Sequence, residues 1–522
     1  MSDKHLGINR RDFVKGVAAL GLTTGMLGIR NMAMAAEGST FTFGRIRETK
    51  HLDPHSSQLS SSWHIQHMVY DSLVTLDDNF EVQPSIATAW EWQGNTLVFT
   101  IRDNAVFANG RAMTMEDVTV SLNRALKSKG NPWGLLLRNK TAITAMDGNK
   151  LSIEFNGPNN VALSSLAATL VCIVPTVEEA SGEWDPKTDM FMGTGPYSVE
   201  SHTANDRWVL KANPHYWGGA PKTDTVVVRT IPQAQSLVAA LRDGSIDAAS
   251  FDGNPDAPAL LEGAPDIEIS RLDTTDFYYI GMNAVAEGSP FLDKSVRQAV
   301  AMCIDRKQLI EFAFAGRAGL TYGWTQWGLT DDSKLPIREP DIEKAKAMIE
   351  AANLPTNKIK VLVREGDTLS AVAQVLKQSA AKIGLDLELE VVDGGVWAKR
   401  TWGTNPSDMQ MVVSRYTGFA HPLIITAHWW APEMSRFTKG YVPENPEYSA
   451  ALNKAVLEST GDEITPSLQK AYEILNEEAV KVPLCTDIDT IAWRSDRVTM
   501  SPSREQAQND ILSGVETFEM KI

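Results

Sequence analysis

Gly193-Thr194-Gly195-Pro196-Tyr197, then Asn213-Pro214-His215-Tyr216-Trp217-Gly218-Gly219-Ala220-Pro221, then Leu241-Arg242-Asp243-Gly244-Ser245-Ile246-Asp247, form the run of motifs on which the reading of this chain turns. The glycines at 193 and 195 do not make a phosphate cradle, because Pro196 and Tyr197 lead into a strand and not into a helix whose amides could face an anion. They read as a tight turn where the chain crosses between domains. Asn213 to Pro221 gathers turn formers around two aromatics, which points to folding before ligand binding.

Outward from this centre, short β-rich runs such as Leu97-Val98-Phe99-Thr100-Ile101, Val226-Val227-Val228 and Ile359-Lys360-Val361-Leu362-Val363 alternate with periodic apolar segments. The class is mixed α/β. Thr114 before Glu116-Asp117 and the stripe Val118, Val120, Leu122, Leu126 predicts an N-capped amphipathic helix, as does Asp293 before Val296, Ala299, Val300 and Ile304. Further helices are expected from Ile342 to Ala352, stopped by Asn353 and Pro355, and from about Ser370 to Ile383, stopped by Gly384.

The 522 residues exceed what one hydrophobic core supports, so two or more lobes are expected. With 43% hydrophobic and 22% charged residues the chain is globular. A net charge of −16 lacks the basic footprint of a nucleic-acid binder. Cys172, Cys303 and Cys485 lie far apart with no CxxC pair, so they read as small core residues, with one disulfide left open.

The N-terminus reads as an address. Arg10-Arg11-Asp12-Phe13-Val14-Lys15 precedes an apolar, Gly- and Ala-rich stretch from Gly16 to Ile29, and Ala33-Met34-Ala35 offers the small residues a signal peptidase needs. The pattern resembles a twin-arginine signal peptide spanning 1–35. Its apolar run is too short for a stable membrane span, and no later segment is long and apolar enough for one. No cysteine stands at the cleavage point to carry a lipid, and a freely diffusing exported protein is expected in the periplasm.

Several segments, in this order, resemble the extracytoplasmic solute-binding protein family 5, the dipeptide-, oligopeptide- and nickel-binding proteins of ABC importers. They include Leu52-Asp53-Pro54-His55, Val69-Tyr70-Asp71-Ser72-Leu73-Val74, Val106-Phe107-Ala108-Asn109-Gly110, Thr114-Met115-Glu116-Asp117-Val118, the central motifs above, Pro290-Phe291-Leu292-Asp293 and Ile304-Asp305-Arg306. The resemblance implies a two-lobed, type II-like periplasmic binding fold with an extra domain inserted in the first lobe. On this chain it implies a first lobe of 36–76, 193–282 and 486–522, an inserted domain of 77–192 and a second lobe of 283–485. The crossings would lie near Asn283 and Asp487, and ligand would bind in the cleft between lobes, for delivery to an inner-membrane ABC permease. A monomer without a cofactor is expected.

The same resemblance implies ligand contacts from Trp133, Phe251, Trp397, Arg415 and Tyr416, with Trp324 and Trp429 as further aromatic candidates. An indole offers stiff area on which a cation or sugar can pack, and core packing is the alternative for each. Peptide-binding relatives commonly carry an aspartate where this chain has Gly418, and no carboxylate lies between Ser414 and Pro422. A peptide ammonium could not be buried there in the usual way. Arg415 instead offers a fork suited to a carboxylate or phosphate.

The sequence also carries traces of two other function classes. Ser379-Ala380-Ala381-Lys382 has the spacing of a penicillin-binding nucleophile but lacks its companion motifs, and no GxSxG, HExxH, Walker or GxGxxG pattern occurs, so an exported enzyme is disfavoured. His51, His55, His64 and His67 keep a metal or metal-chelate ligand open as the alternative to a small peptide-like or other polar solute.

Overall fold

The computed structural model describes residues 36–49, 52–57, 60–77, 81–128, 137, 139–251, 254, 256–323, 331–402, 407–416, 438–459, 463–502, 512 and 514–521. One sheet of ten strands runs through the molecule. Its members are β1 (Ala36–Arg45), β2 (Tyr197–Thr203), β3 (Arg207–Ala212), β4 (Thr223–Thr230), β5 (Ala248–Ser250), β6 (Ile267–Met282), β7 (Lys358–Arg364), β8 (Asp386–Val392), β9 (Met411–Tyr416) and β10 (Lys481–Arg494), in the order β8-β7-β9-β6-β10-β5-β1-β4-β3-β2.

Parallel strands occur in two groups. β1 pairs in parallel with β4 and β5, and β7 pairs in parallel with β8 and β9. These are the apolar, β-branched runs, as expected of strands covered on both faces. The long antiparallel pair β6 and β10 joins the groups. The early half of β6 pairs with the end of β10, which borders β5, whereas residues 277–282 also pair with β9. The register breaks between Asp273 and Phe277, opposite Thr486 to Ile488. The change of partner from one strand group to the other therefore falls at 274–276 and at Asp487. Asn283 instead lies buried inside the second group, where its side chain donates to Ser407 and Met409 carbonyls at 2.8 Å and accepts from the Val285 and Ala286 amides.

The inserted region carries its own antiparallel sheet, in the order Ala87–Gln93, Thr96–Ile101, Lys150–Phe155, Lys140–Met146, covered by helix α1 (Met115–Lys127). The predicted start of α1 is a complete capping box: the Thr114 hydroxyl accepts from the Asp117 amide and the Asp117 carboxylate accepts from the Thr114 amide. The other predicted helices form over Lys294–Met302, Ile342–Ala352 and Asp367–Lys382. Asp293 caps the first, and Asn353 ends the second in the left-handed conformation.

The central motifs have structural explanations. A Cβ on Gly193 would stand 2.0 Å from the Val69 carbonyl oxygen, and one on Gly195 2.6 Å from the Val69 carbonyl carbon. Only glycine lets these two backbone segments cross so closely. Asp71 beside them accepts from the Thr194 hydroxyl at 2.7 Å and the Trp217 indole at 2.8 Å, while the Arg102 guanidinium lies 3.4 Å above the Trp217 ring. Asn213 donates to the Gly195 carbonyl at 2.9 Å. These residues brace the junction of first lobe and insert.

All three cysteines are buried free thiols. Among the described residues no helix is long and apolar enough to cross a membrane.

Candidate functional site

A cavity of about 350 Å³ lies where the two parallel groups face each other. From the first group come Ile46 and Arg47, just past β1, and Pro232 to Gln235, which link β4 to helix α2 (Ala234–Asp243). From the second come Arg364, Glu365 and Gly366, between β7 and helix α3 (Asp367–Lys382). Tyr278 of β6 and Arg415 of β9 close the side nearest the crossing. Both groups thus present the carboxyl ends of parallel strands and the amino ends of the following helices. This is where open α/β sheets place ligands, and both helix dipoles present their positive ends. Gln233 and Gly366 cap α2 and α3 without side-chain hydrogen bonds. Larger open grooves, of about 690 and 670 Å³, flank α1 on the outside of the insert and have no part in the interlobe space.

Three arginines line the cavity against one carboxylate, Glu365. They are not equivalent. Arg415, whose side chain is only 7% exposed, points its guanidinium at two buried carboxylates beside the crossing: Nη2 donates to Asp276 Oδ2 at 2.6 Å and Nε lies 2.7 Å from Asp487 Oδ2. The second contact is an ion pair and not a hydrogen bond, because the N–H direction misses the oxygen. Arg415 thus rivets β6, β9 and β10 together, and its charge is already matched within the protein. Arg47 and Arg364 line the same cavity at the ends of β1 and β7, one from each parallel group.

The other predicted contacts fall as follows. Trp397, in helix α4 (Gly394–Trp402), is 3% exposed and packs edge-on against Trp402 at 4.9 Å, in a cluster with Leu362, Val412 and Tyr441. It does not line the cavity; the Arg364 guanidinium sits 5.8 Å from its ring, so Trp397 lies behind a cavity residue. Tyr416 is buried against Phe277 at 5.1 Å, and Phe251 is buried in the first-lobe core with Ala249 and Leu261. Trp133, Trp324 and Trp429 lie outside the described residues, as does Gly418.

His55 is spoken for. Its Nδ1 accepts from Arg124 Nη1 at 2.6 Å and its Nε2–H donates to the Cys172 carbonyl at 2.8 Å, so neither ring nitrogen is left for a metal. Burial, and then the neighbouring Arg124 charge, lowers its pKa to about 4. Among the described residues no cluster of histidine, cysteine or carboxylate side chains could hold a metal ion.

Sequence reading missed Arg47, Arg364 and the Gln233 to Gln235 turn. A signal existed: each directly follows a β-branched or aromatic run, in Phe41-Thr42-Phe43-Gly44-Arg45-Ile46-Arg47, Val226-Val227-Val228-Arg229-Thr230-Ile231-Pro232-Gln233 and Val361-Leu362-Val363-Arg364.

Two α/β lobes that share a sheet and face each other across a cavity at their strand ends define a class, the two-lobed solute-binding proteins. The chain belongs to the bacterial extracellular solute-binding proteins, family 5, whose middle region matches residues 81–433. The glutathione-binding protein GsiB of Escherichia coli O1:K1 / APEC is 24% identical over 496 residues, covering 90% of this chain and 93% of its own. Two solved structures share the fold. The oligopeptide-binding protein AppA of Bacillus subtilis, in complex with a nonapeptide, superposes with a TM-score of 0.80 at 18% identity, over 92% of this chain and 99% of its own. AgaA of A. tumefaciens R10, in complex with agropinic acid, gives 0.81 at 22% identity, over 92% and 98%. The chain is a substrate-binding protein of an ABC importer and not an enzyme.

Proposed function

We propose that this protein captures a small solute carrying a carboxylate or similar anionic group, held between Arg47 of the first lobe and Arg364 of the second, and presents it to an inner-membrane ABC permease. The observation that carries the reading is one guanidinium from each lobe at the strand ends of a single cavity. Its volume of about 350 Å³ is at the small-molecule end of binding sites. Arg415 is a positioning residue in this account, and Trp397 supports Arg364 from behind. Glutathione and agropinic acid, named with two of the similar proteins, both carry carboxylates.

The reading extends to the chain's organisation. Residues 1–35 act as a twin-arginine signal, the mature protein works in the periplasm as a monomer, and the lobes comprise 36–76, 193–276 and 487–522 against 277–486, with 77–192 inserted, the expected boundary at 282/283 being shifted to where β6 changes partner. The lobes close over the solute about 274–276 and Asp487.

Denaturing the purified protein and identifying the released small molecules by mass spectrometry tests this. The identified solute, titrated by calorimetry, should lose about 2–5 kcal/mol of binding energy with Arg47→Ala or Arg364→Ala, as when one partner of a desolvated charge pair is removed. A released solute without an anionic group, or unchanged affinity in both variants, sinks the proposal.

A further inference from the structure

One residue of the insert, Asn160, makes three hydrogen bonds to a segment of the second lobe outside the sheet. Asn160 follows Gly157-Pro158-Asn159, in the turn after the insert's strand Lys150–Phe155. Its backbone amide donates to the Val456 carbonyl at 2.8 Å, and its side-chain Nδ2 donates to the carbonyls of Ala455 and Ser459, both at 2.8 Å. The acceptors end the helix α5 (Pro446–Asn453), which runs on into a π-helical turn, Lys454–Glu458. The last carbonyls of a helix have no partner within it, so Asn160 supplies from another domain what this helix end lacks. Both side-chain contacts are to carbonyl oxygens, which fixes the amide orientation. Val161, Ala162 and Leu166 of the insert share a buried apolar cluster with Leu452, Ala455 and Val456 around this contact.

We infer that Asn160 is a latch on the closed state: a positioning residue for solute capture that touches no solute and holds the insert against the π-helical end of α5 when the lobes meet. The inference rests on the lobe boundaries proposed above, by which 160 and 454–459 belong to bodies that separate on opening. Opening would then strip the final carbonyls of a packed helix of three donors together. Arg415 with Asp276 and Asp487 lies at the crossing itself, and Arg317 with Asp256 at 3.2 Å involves a carboxylate that is 77% exposed and contributes little by comparison. π-helical turns recur at functional sites, in keeping with this placement.

The test uses the purified protein stripped of small molecules by unfolding and refolding, with the fraction released from the denatured protein as probe. Small-angle scattering follows compaction as the fraction is added back, and hydrogen exchange follows the amides of 454–459. Asn160→Ala removes two of the three hydrogen bonds and should raise the amount of fraction needed for half-compaction about 5- to 150-fold, which corresponds to about 1–3 kcal/mol. Asn160→Asp keeps the size, loses the donors and should shift at least as far. Faster exchange at 454–459 with an unchanged compaction curve would reduce Asn160 to a local cap and overturn the latch. A shift in Asn160→Ala without one in Asn160→Asp would assign the effect to packing and overturn it equally. If the fraction compacts neither wild type nor variants, lobe closure itself fails; if it compacts all at the same amount, only the latch does.

Discussion

Replacing Arg415 by alanine should destabilise the protein before it affects any solute. Asp276 and Asp487 are 5% and 4% exposed, on the two strands that pass between lobes, and Arg415 contacts them at 2.6 and 2.7 Å. Removing one partner from a buried ionic cluster costs about 3–5 kcal/mol, because the charges left behind stay desolvated. For an unfolding unit of 150–250 residues, about the size of the second lobe, each kcal/mol lowers the melting temperature by about 2–4 °C, so a fall of about 6–20 °C is expected. Arg415→Lys should fall in between, since one ammonium cannot reach two carboxylates as a planar fork does. The triple variant Arg415→Met, Asp276→Asn, Asp487→Asn should recover most of the loss, because it removes the buried charges together. Thermal melts of the solute-free protein decide: an Arg415→Ala melting point within about 2 °C of wild type would refute the rivet and return Arg415 to the role of an anion anchor.

His55, held at a pKa of about 4 by burial and by Arg124, binds a proton more readily in the unfolded chain, where its pKa is the ordinary 6.5. The stability it contributes is therefore complete above pH 6.5 and drains as the pH falls from 6.5 to about 4; urea titrations should show that slope flattened in His55→Asn. Asp117 is fully buried and bonds Arg111 at 2.8 and 2.9 Å, the Thr114 amide at 2.9 Å and the Thr176 amide at 3.1 Å, so Asp117→Ala should cost the insert about 3–5 kcal/mol in a denaturant melt. Trp397→Ala should cost about 3–5 kcal/mol of solute-free stability as a core truncation, a loss that a purely ligand-facing tryptophan would not show in the same melt.

What the sequence disclosed and what it hid divide along a physical line. Thr114 with Asp117, Asp293 with Ser295 and the left-handed Asn353 are local devices whose partners stand within three residues, and each was legible. The close glycines at 193 and 195 were legible as a crossing turn, though not the Val69 backbone that requires them. The ion pairs of Arg415 were not legible because Asp276 and Asp487 lie 139 and 72 residues away, joined to it only by the pairing of β6 with β9 and β10. Trp397 was legible as an aromatic near the cleft but not as a residue behind Arg364, since amphipathic spacing does not tell a core-facing indole from a cleft-facing one. Arg47 and Arg364 share a cavity only because β1 and β7, in different strand groups, aim their ends at it.

That shared cavity implies how capture and closure are coupled. Two guanidinium groups brought toward one narrowing cavity from different lobes repel, so closure without solute works against their charges, whereas an anion between them draws both lobes inward. Reversing one lobe's charge should therefore replace the solute. In Arg47→Glu the new carboxylate would share the cavity with Arg364, and the protein should become compact without solute and lose its response to anionic solutes. Small-angle scattering of the solute-free variant reads the first effect and calorimetry with the released solute the second. Arg47→Ala, which lowers the repulsion without supplying attraction, should stay as open as wild type or close only in part. If Arg47→Glu remains as open as wild type in solute-free buffer of low ionic strength, where screening is weakest, the charges of Arg47 and Arg364 do not drive closure.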